Sequence, residues 1–478
     1  MPTGPILLPS LTYAAFVAAV GVLYFLMPRS GQAILLLLAS YLFYGLWSRW
    51  FPPVLLVVTA LDFLLPFAYR RLPRLRRVLL AAGIAANVGI LVGLKYGAAV
   101  APRLWGAFGL APGTGLELAM RIVLPVGLSF YALQGIAYLV DTYTGQMPPS
   151  RDPIGFALYM AYFPKLLAGP IERPAVFLGQ LDQDRTVDNP RLARSLTRVV
   201  IGLTRKLVIA NALLAMSPAD VFLRPADYPP VVLGTALVAF GFGLYNDFAG
   251  YTNIAQGVSG LFGIELSANF RQPMFSTTFT DVWNRWHISL SHWLRDYIYF
   301  PLTRALLRRR WGGQLGVIAF LPALVTMVVS GLWHGFSANM IVWGLAMGLL
   351  LGGERILHER FRWPGARTRT QTWRWLAPVI VTSVTLLLLV LFRSPLSAVG
   401  DYWRGLIGWR PWQWTSWGVP ILAMVSLGLD ALQARGGEAT AFAHWPRLAR
   451  AGLLAAAILA IFLATRGSVD PLFVYQGF

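Results

Sequence analysis

Apolar residues dominate this 478-residue chain in long blocks, and the breaks between blocks are short. Runs of about twenty predominantly apolar residues, the length that crosses a hydrocarbon core, fall near 5–27, 32–49, 52–69, 78–100, 118–140, 154–170, 197–216, 230–250, 313–331, 335–353, 375–392, 417–433 and 449–465. The pattern predicts an all-α, polytopic membrane protein with 11 to 14 membrane helices, some re-entrant, in a single domain over 1–478. The first run has no basic stretch ahead of it and is followed at once by two more, so it reads as a retained span and not a cleaved signal. Internal repeats and low-complexity tracts are not evident.

Composition agrees: 56% of residues are hydrophobic, 13% are charged and the mean hydropathy is +0.59. Soluble domains carry about 25% charge. The formal charge of +20 would suggest nucleic acid, but the cations sit in short links between apolar runs: YRRLPRLRR at 69–77, RALLRRR at 304–310 and RILHERFRWPGARTRTQTWR at 355–374. That is the positive-inside arrangement, which predicts these links in the cytoplasm and, with three spans ahead of the first, an external N-terminus. Nucleic acid is therefore not an expected partner; a bilayer is. The basic face would also draw anionic headgroups, the phosphates of a nucleotide-bearing donor or an acidic carrier protein. Cysteine is absent, which removes disulfides and thiolate nucleophiles from the chain's own chemistry.

Two polar islands interrupt the apolar blocks. The first is VVSGLWHGFSAN at 328–339, inside the 43 residues 311–353 that contain no Lys, Arg, Asp or Glu. His334 is the only group there that titrates near neutrality. Two spans meeting near residue 332 would place it at a turn near the membrane surface, where it would mean little; an ionisable group set in an apolar run more often faces a cavity on a functional path. Imidazole is also the side chain best matched to general-base work near pH 7.

The second island is TFTDVWNRWHISLSHWLRDYIYFPLTR at 278–304. On one continuous helix, Asn284, His287 and Ser291 would share a face, Arg285, Ser289, His292 and Asp296 a second, and Trp286, Leu290, Trp293 and Tyr297 an apolar stripe between them. A metal site is not expected, because His287 and His292 are five residues apart and no HExxH or carboxylate cluster supplies a third ligand. GLSFY at 127–131 and GFSAN at 335–339 both lack the second glycine of a nucleophile elbow, and no phosphate-binding loop is present. Histidine remains as the versatile group.

Together, DVWNRWHISLSHWLRDYIYFPL and SGLWHGFSANMIVWG resemble the membrane-bound O-acyltransferase family, in its bacterial branch of alginate O-acetyltransferases and teichoic-acid D-alanyl transfer proteins. LPVGLSFYALQGIAYLVDTYTG (124–145), YFPKLLAGPIER (162–173), GLTRKLVIAN (202–211), YNDFAGYTNIAQG (245–257), LFRSP (391–395) and the terminal PLFVYQGF fit in the same order. The chain departs from branch-specific patterns at Phe300-Pro301 and Thr252-Asn253, so the branch stays open. The resemblance implies a many-helix core around a central tunnel or funnel in a bacterial inner membrane. It also implies a cytoplasmic thioester co-substrate, acetyl-CoA or a phosphopantetheine-linked acyl carrier protein, and no permanently bound cofactor. The acceptor it implies is a hydroxyl of an extracytoplasmic polysaccharide or of a periplasmic acyltransferase.

The resemblance places the family's histidine on His334 and its second motif position, His or Asn in relatives, on His287. Asn284, Trp286, Arg295, Asp296, Tyr297 and Trp333 fall on motif positions. Further candidates are Ser291, Ser337 and Asn339 toward substrate and Arg285 on the donor side; Arg295 and Asp296 are equally expected to form a structural ion pair. The resulting expectation is a single displacement: neutral His334 takes the hydroxyl proton as the oxygen attacks the thioester, with Asn284, His287 or a backbone N–H stabilising the oxyanion. D-alanyl transfer from a carrier protein, and a transporter of acyl or lipid-linked groups without catalysis, stand as the alternatives.

Overall fold

The computed structural model describes residues 8–108, 126–183, 188–309, 314–361, 371–408, 417–437 and 445–466, with side chains omitted for 97–108 and 361. The start of the 124–145 stretch, part of the 355–374 basic link and the terminal PLFVYQGF lie outside the described residues. Every regular element among the described residues is helical. Among the described residues, seven helices are long and apolar enough to cross a membrane: Phe51–Arg71, Pro73–Tyr96, Pro230–Leu261, Leu315–His334, Ala338–Arg360, Gln371–Arg393 and Arg447–Thr465. The other described runs form shorter or more polar helices, such as Leu11–Leu26, Leu128–Thr144 and Gly418–Gly436.

Two runs expected as spans are broken, each for a local reason. The 154–170 run folds as Pro153–Ala161 and Phe163–Leu166, with Tyr162 out of helical conformation at φ −50°, ψ 109°. Pro164 has no N–H to continue the ladder. The turn buries Lys165, whose ammonium donates to the Gln134 side chain and, at 2.6 Å, to the Tyr159 carbonyl. The 197–216 run passes from helix into a π-helical stretch, Thr204–Ala210, that turns both Arg205 and Lys206 inward. Such bulges re-aim side chains at functional or strained positions.

The chain divides into two compact units, 1–195 with 255–267 and 196–254 with 268–478. The first is packed around buried aromatics, among them Tyr131, Tyr138, Tyr159, Tyr162 and Phe163, with Glu172 taking the Ser267 N–H at 2.7 Å and its hydroxyl at 2.9 Å. The second holds both polar islands. Its buried cations are matched inside the fold: Arg205 meets Asp430 at 2.5 Å, Gln433 at 2.7 Å and Asn246 at 2.9 Å, and Lys206 meets Asp247.

His334 is carried by a helical hairpin of the second unit. The histidine helix, Leu315–His334, turns through Gly335–Ser337 into the glycine helix, Ala338–Phe361. Small residues recur every four positions on the second helix. A Cβ at Gly344 would lie 2.4 Å from the Met327 carbonyl oxygen, at Gly348 2.7 Å from Leu324 Cα and at Gly352 2.3 Å from the Phe320 ring. Gly331 closes the top of the hairpin in the same way, 2.1 Å from the Met340 carbonyl. Helices in lipid associate by this kind of close backbone approach, since burial of apolar surface gives them no advantage over lipid contact. Gly348→Ala is therefore expected to destabilise the protein by ~1–3 kcal/mol, the usual cost of overpacking. Gly353→Ala, with no atom within 4 Å of the new Cβ, should be neutral or gain up to ~1 kcal/mol from helix propensity. Thermal unfolding of the two variants in detergent checks the pair; equal melting temperatures would contradict the packing assignment.

Candidate active site

The second island is two short helices instead of the single helix expected, Phe279–Arg285 and Ile288–Leu294. Thr278 caps the first through its hydroxyl, which accepts the Asp281 N–H at 3.0 Å. The break falls at Trp286, which is extended at φ −107°, ψ 129°, and His287, in the left-handed region at φ 43°, ψ 50°. No glycine or proline forces it. The neighbouring 269–271 segment does: the Arg271 N–H donates to the Arg285 carbonyl and the Ile288 N–H to the Asn269 carbonyl, both at 2.9 Å. A non-glycine residue held at positive φ costs of order 1–3 kcal/mol and persists where surrounding structure over-determines it. The face assignments of a continuous helix consequently do not hold.

His287 is 1% exposed. Its ring stands edge-on to Phe248 at 4.7 Å and to Trp333 at 6.1 Å, and its Nδ1 lies 3.2 Å from the Asn269 side-chain oxygen. That oxygen also accepts the Ser289 N–H at 3.2 Å and hydroxyl at 2.8 Å. Burial pushes the His287 imidazole down to about 3; the residue lies outside the seven long apolar helices, and at neutral pH its ring is uncharged.

His334 occupies the last turn of its helix and is 5% exposed, so it is not a surface residue of the turn. Its ring is caged by Trp333 at 4.8 Å, Phe392 at 5.2 Å and Trp343 at 5.9 Å between centroids. The two motif histidines thus flank one indole, that of Trp333. His334 also lines a cavity of about 60 Å³ with Trp283, Trp286, Trp343, Met347 and Phe392 among its walls. Trp286 is fixed there by Phe270 at 5.2 Å and Tyr245 at 6.0 Å. The Tyr245 hydroxyl donates to Asp430 at 2.9 Å, which ties the cavity wall to the buried Arg205 cluster.

Trp283 has cavities on two sides. It also borders a larger cavity of about 400 Å³, mostly apolar in its walls (Leu294, Phe300, Met327) but with polar and charged groups that the smaller one lacks, among them Asn284, Arg295, Glu354, Arg355 and Glu359. Thr280, Asn284, Glu354 and His358 are shared in turn with a wider cavity of about 620 Å³ that includes Asp281 and Arg285. Polarity therefore falls stepwise from the wide cavity to His334.

The structure sets the sequence-predicted residues in different places. His334, His287, Trp333 and Trp286 come together. Asn284, Ser291 and Arg295 line the intermediate cavity, with the Ser291 hydroxyl donating to the Trp286 carbonyl at 3.1 Å. The rest brace the structure: Arg285 pairs with Asp281 at 2.8 Å, Arg295 with Asp296 at 2.9 Å, and Tyr297 packs on Trp293. Ser337 is exposed on the hairpin turn and Asn339 donates to the Ser394 carbonyl; neither lines the cavity around His334. Asn269 carried no signal of a site in the sequence, and Tyr299, inside the second motif, and Arg355, in a basic link, were not singled out there, yet Arg355 donates to the Tyr299 hydroxyl and to Glu359, each at 2.8 Å, in the wall of the intermediate cavity.

A caged imidazole beside a graded set of cavities, in an apolar fold with several helices long enough to cross a bilayer, marks an integral membrane protein with an enclosed candidate site. The family comparison makes that specific. The profile of the membrane-bound O-acyltransferase family matches residues 149–393, just over half the chain and both islands. The chain is 33% identical over 342 residues to a probable alginate O-acetylase AlgI of Pseudomonas putida, covering 70% of this chain and 67% of that protein. It is 29% identical over 354 residues to a peptidoglycan O-acetyltransferase of Helicobacter pylori, covering 67% and 64%. It is 26% identical over 265 residues to a teichoic acid D-alanyltransferase of Bacillus subtilis, covering 54% and 65%. The chain belongs to the membrane-bound O-acyltransferase family and is an acyltransferase.

The depressed affinity of His287 for a proton has a thermodynamic signature. The unfolded chain takes up a proton at an ordinary imidazole near pH 6.5, and the folded one does not until about pH 3. Stability from this residue is therefore complete above pH 6.5 and lost as pH falls toward 3. Between pH 7 and 5 the native protein should lose about 2 kcal/mol that His287→Asn does not lose. Melting curves of the two at both pH values measure this; parallel pH dependence would contradict it.

Proposed function

We propose that this protein moves an acetyl group from a cytoplasmic thioester donor to a hydroxyl on the far side of a bacterial inner membrane. The hydroxyl belongs to a polysaccharide or to a periplasmic acyltransferase, and His334 acts as general base. The observation that carries the reading is the enclosure of His334 in an aromatic cavity that shares Trp283 with a larger one carrying charged side chains. A thioester arm can approach through the larger cavity, where charged side chains can meet its polar groups, and present its carbonyl in a drier place. The basic links at 69–77 and 304–310 are taken as cytoplasmic, which puts the N-terminus outside.

In this reading the neutral imidazole accepts the hydroxyl proton while the oxygen bonds to the carbonyl carbon. The tetrahedral intermediate collapses with cleavage of the C–S bond, and the imidazolium returns the proton to the departing thiolate. The donor itself supplies the acyl group, so no resident cofactor takes part. Positioned general-base catalysis contributes ~10²–10⁴-fold, and holding both reactants in line adds the proximity term.

Acetyl is favoured over D-alanyl by the cavity lining. An alanyl ammonium would enter a space walled by aromatic and aliphatic side chains, threonines and His334, with no carboxylate among the described lining residues to pair it. The more similar relatives named above act as O-acetylases or O-acetyltransferases by name.

His334→Ala should reduce turnover ~10²–10⁴-fold while membrane content and elution volume stay those of the native protein. The assay uses purified protein with labelled acetyl-CoA, an acetyl-carrier protein and a D-alanyl-carrier protein as parallel donors. Native turnover in His334→Ala would remove the general base, and transfer from the D-alanyl carrier alone would overturn the acetyl assignment.

A further inference from the structure

Asn269 lies in ELSANF, away from both histidine motifs, and is 1% exposed. Its backbone carbonyl holds the second end of the helix break, and its side-chain oxygen is the shared acceptor of Ser289 and His287. The identity of that oxygen is fixed by one contact. A backbone N–H is only ever a donor, so the atom facing the Ser289 N–H at 3.2 Å is the amide oxygen; the flipped rotamer would set two donors against each other. The amide nitrogen then faces the Thr252 hydroxyl at 3.5 Å, which can accept.

This settles what His287 Nδ1 must carry. An amide oxygen has no proton to give, so at 3.2 Å Nδ1 either donates an N–H or opposes its lone pair to another. The second arrangement is repulsive and leaves a buried acceptor unsatisfied, at a cost of ~1–3 kcal/mol. The flanking rings of Phe248 and Trp333 bring no charge to the imidazole, and burial keeps it neutral. In a neutral imidazole the partner of one nitrogen decides the state of the other.

We infer that Asn269 is a positioning residue that locks His287 in the Nδ1–H tautomer, so that Nε2 is the lone-pair nitrogen of the ring. Its catalytic consequence rests on the acyl-transfer reading above; the tautomer itself stands on the contacts of Asn269. His287 then cannot donate to a developing oxyanion in its neutral form, which removes it from the oxyanion candidates expected from sequence. What it can do is accept from a hydroxyl or thiol proton. The same side chain that sets the tautomer also braces the left-handed backbone, so the position and the protonation of the ring are set by one residue.

The test is the ¹⁵N spectrum of histidine-labelled full-length protein in lipid vesicles at pH 7. The chain has five histidines, and the His287 signals are identified as those lost in His287→Asn. One neutral ring with a protonated, pyrrole-type Nδ1 and a pyridine-type Nε2 is expected for His287. Asn269→Leu should abolish that preference, and Asn269→Asp, which keeps an acceptor at the same place, should retain the Nδ1 proton. A native spectrum showing Nε2–H or imidazolium for His287 would overturn the inference, whether or not Asn269→Leu folds; so would an unchanged tautomer in a folded Asn269→Leu protein. Because the readout contains no turnover, it is independent of whether His334 proves to be the base.

Discussion

Backbone contact between the histidine and glycine helices is the constraint on which the geometry around His334 depends. At Gly331, Gly344 and Gly348 the two main chains approach so closely that even a methyl group would meet backbone atoms. This fixes the last turn of Leu315–His334 relative to Trp343, which faces His334 from the partner helix at 5.9 Å. Phe392 closes the cage from the Gln371–Arg393 helix, 4.9 Å from Trp343. An imidazole enclosed this way has few accessible orientations, and its surroundings exclude bulk water. Both properties suit the general-base role proposed for His334.

A second theme is how the fold keeps polar groups inside an apolar protein. Arg205, Asp430, Gln433, Asn246 and Tyr245 form one hydrogen-bonded cluster, and each is buried. Buried charges of this kind survive only when paired and hydrogen-bonded, since loss of one partner strands the other. Here the cluster does more than satisfy itself. Through Tyr245 it braces Trp286, and Trp286 forms part of the cavity around His334. The Asn269 hub plays the corresponding part for His287, taking up the N–H groups released where the helix breaks.

Much of this was legible in the sequence. The long apolar blocks gave the polytopic helical class, and His334 stood out as the one titratable group of neutral range in 43 uncharged residues. Its neighbour His287 was found by its motif. The break between Trp286 and His287 was not legible, because residues 284–292 contain no glycine or proline and read as helix; the cause is tertiary, in the 269–271 segment. Asn269 was hidden for the same reason, being one polar residue in a loop with no periodicity around it. The interruption at Tyr162 did have a signal, Pro164, which the apolar run obscured. Arg355 was counted with the cations that set topology, and only the fold shows it bonded to Tyr299 and Glu359 beside a cavity.

The central claim is that the acyl group is transferred at His334, reached past Trp283 from the larger cavity. The most direct measurement is an experimental structure in lipid with the S-acetonyl thioether of pantetheine, in which a methylene inserted between the acetyl carbonyl carbon and the sulfur leaves no acyl C–S bond to cleave. The expected result is the acetyl carbonyl within hydrogen-bonding reach of a hydroxyl-sized site at the His334 imidazole, with the pantetheine arm in the cavity lined by Asn284, Arg295 and Arg355. An acetyl group bound elsewhere, with the aromatic cage around His334 closed and empty, would contradict it.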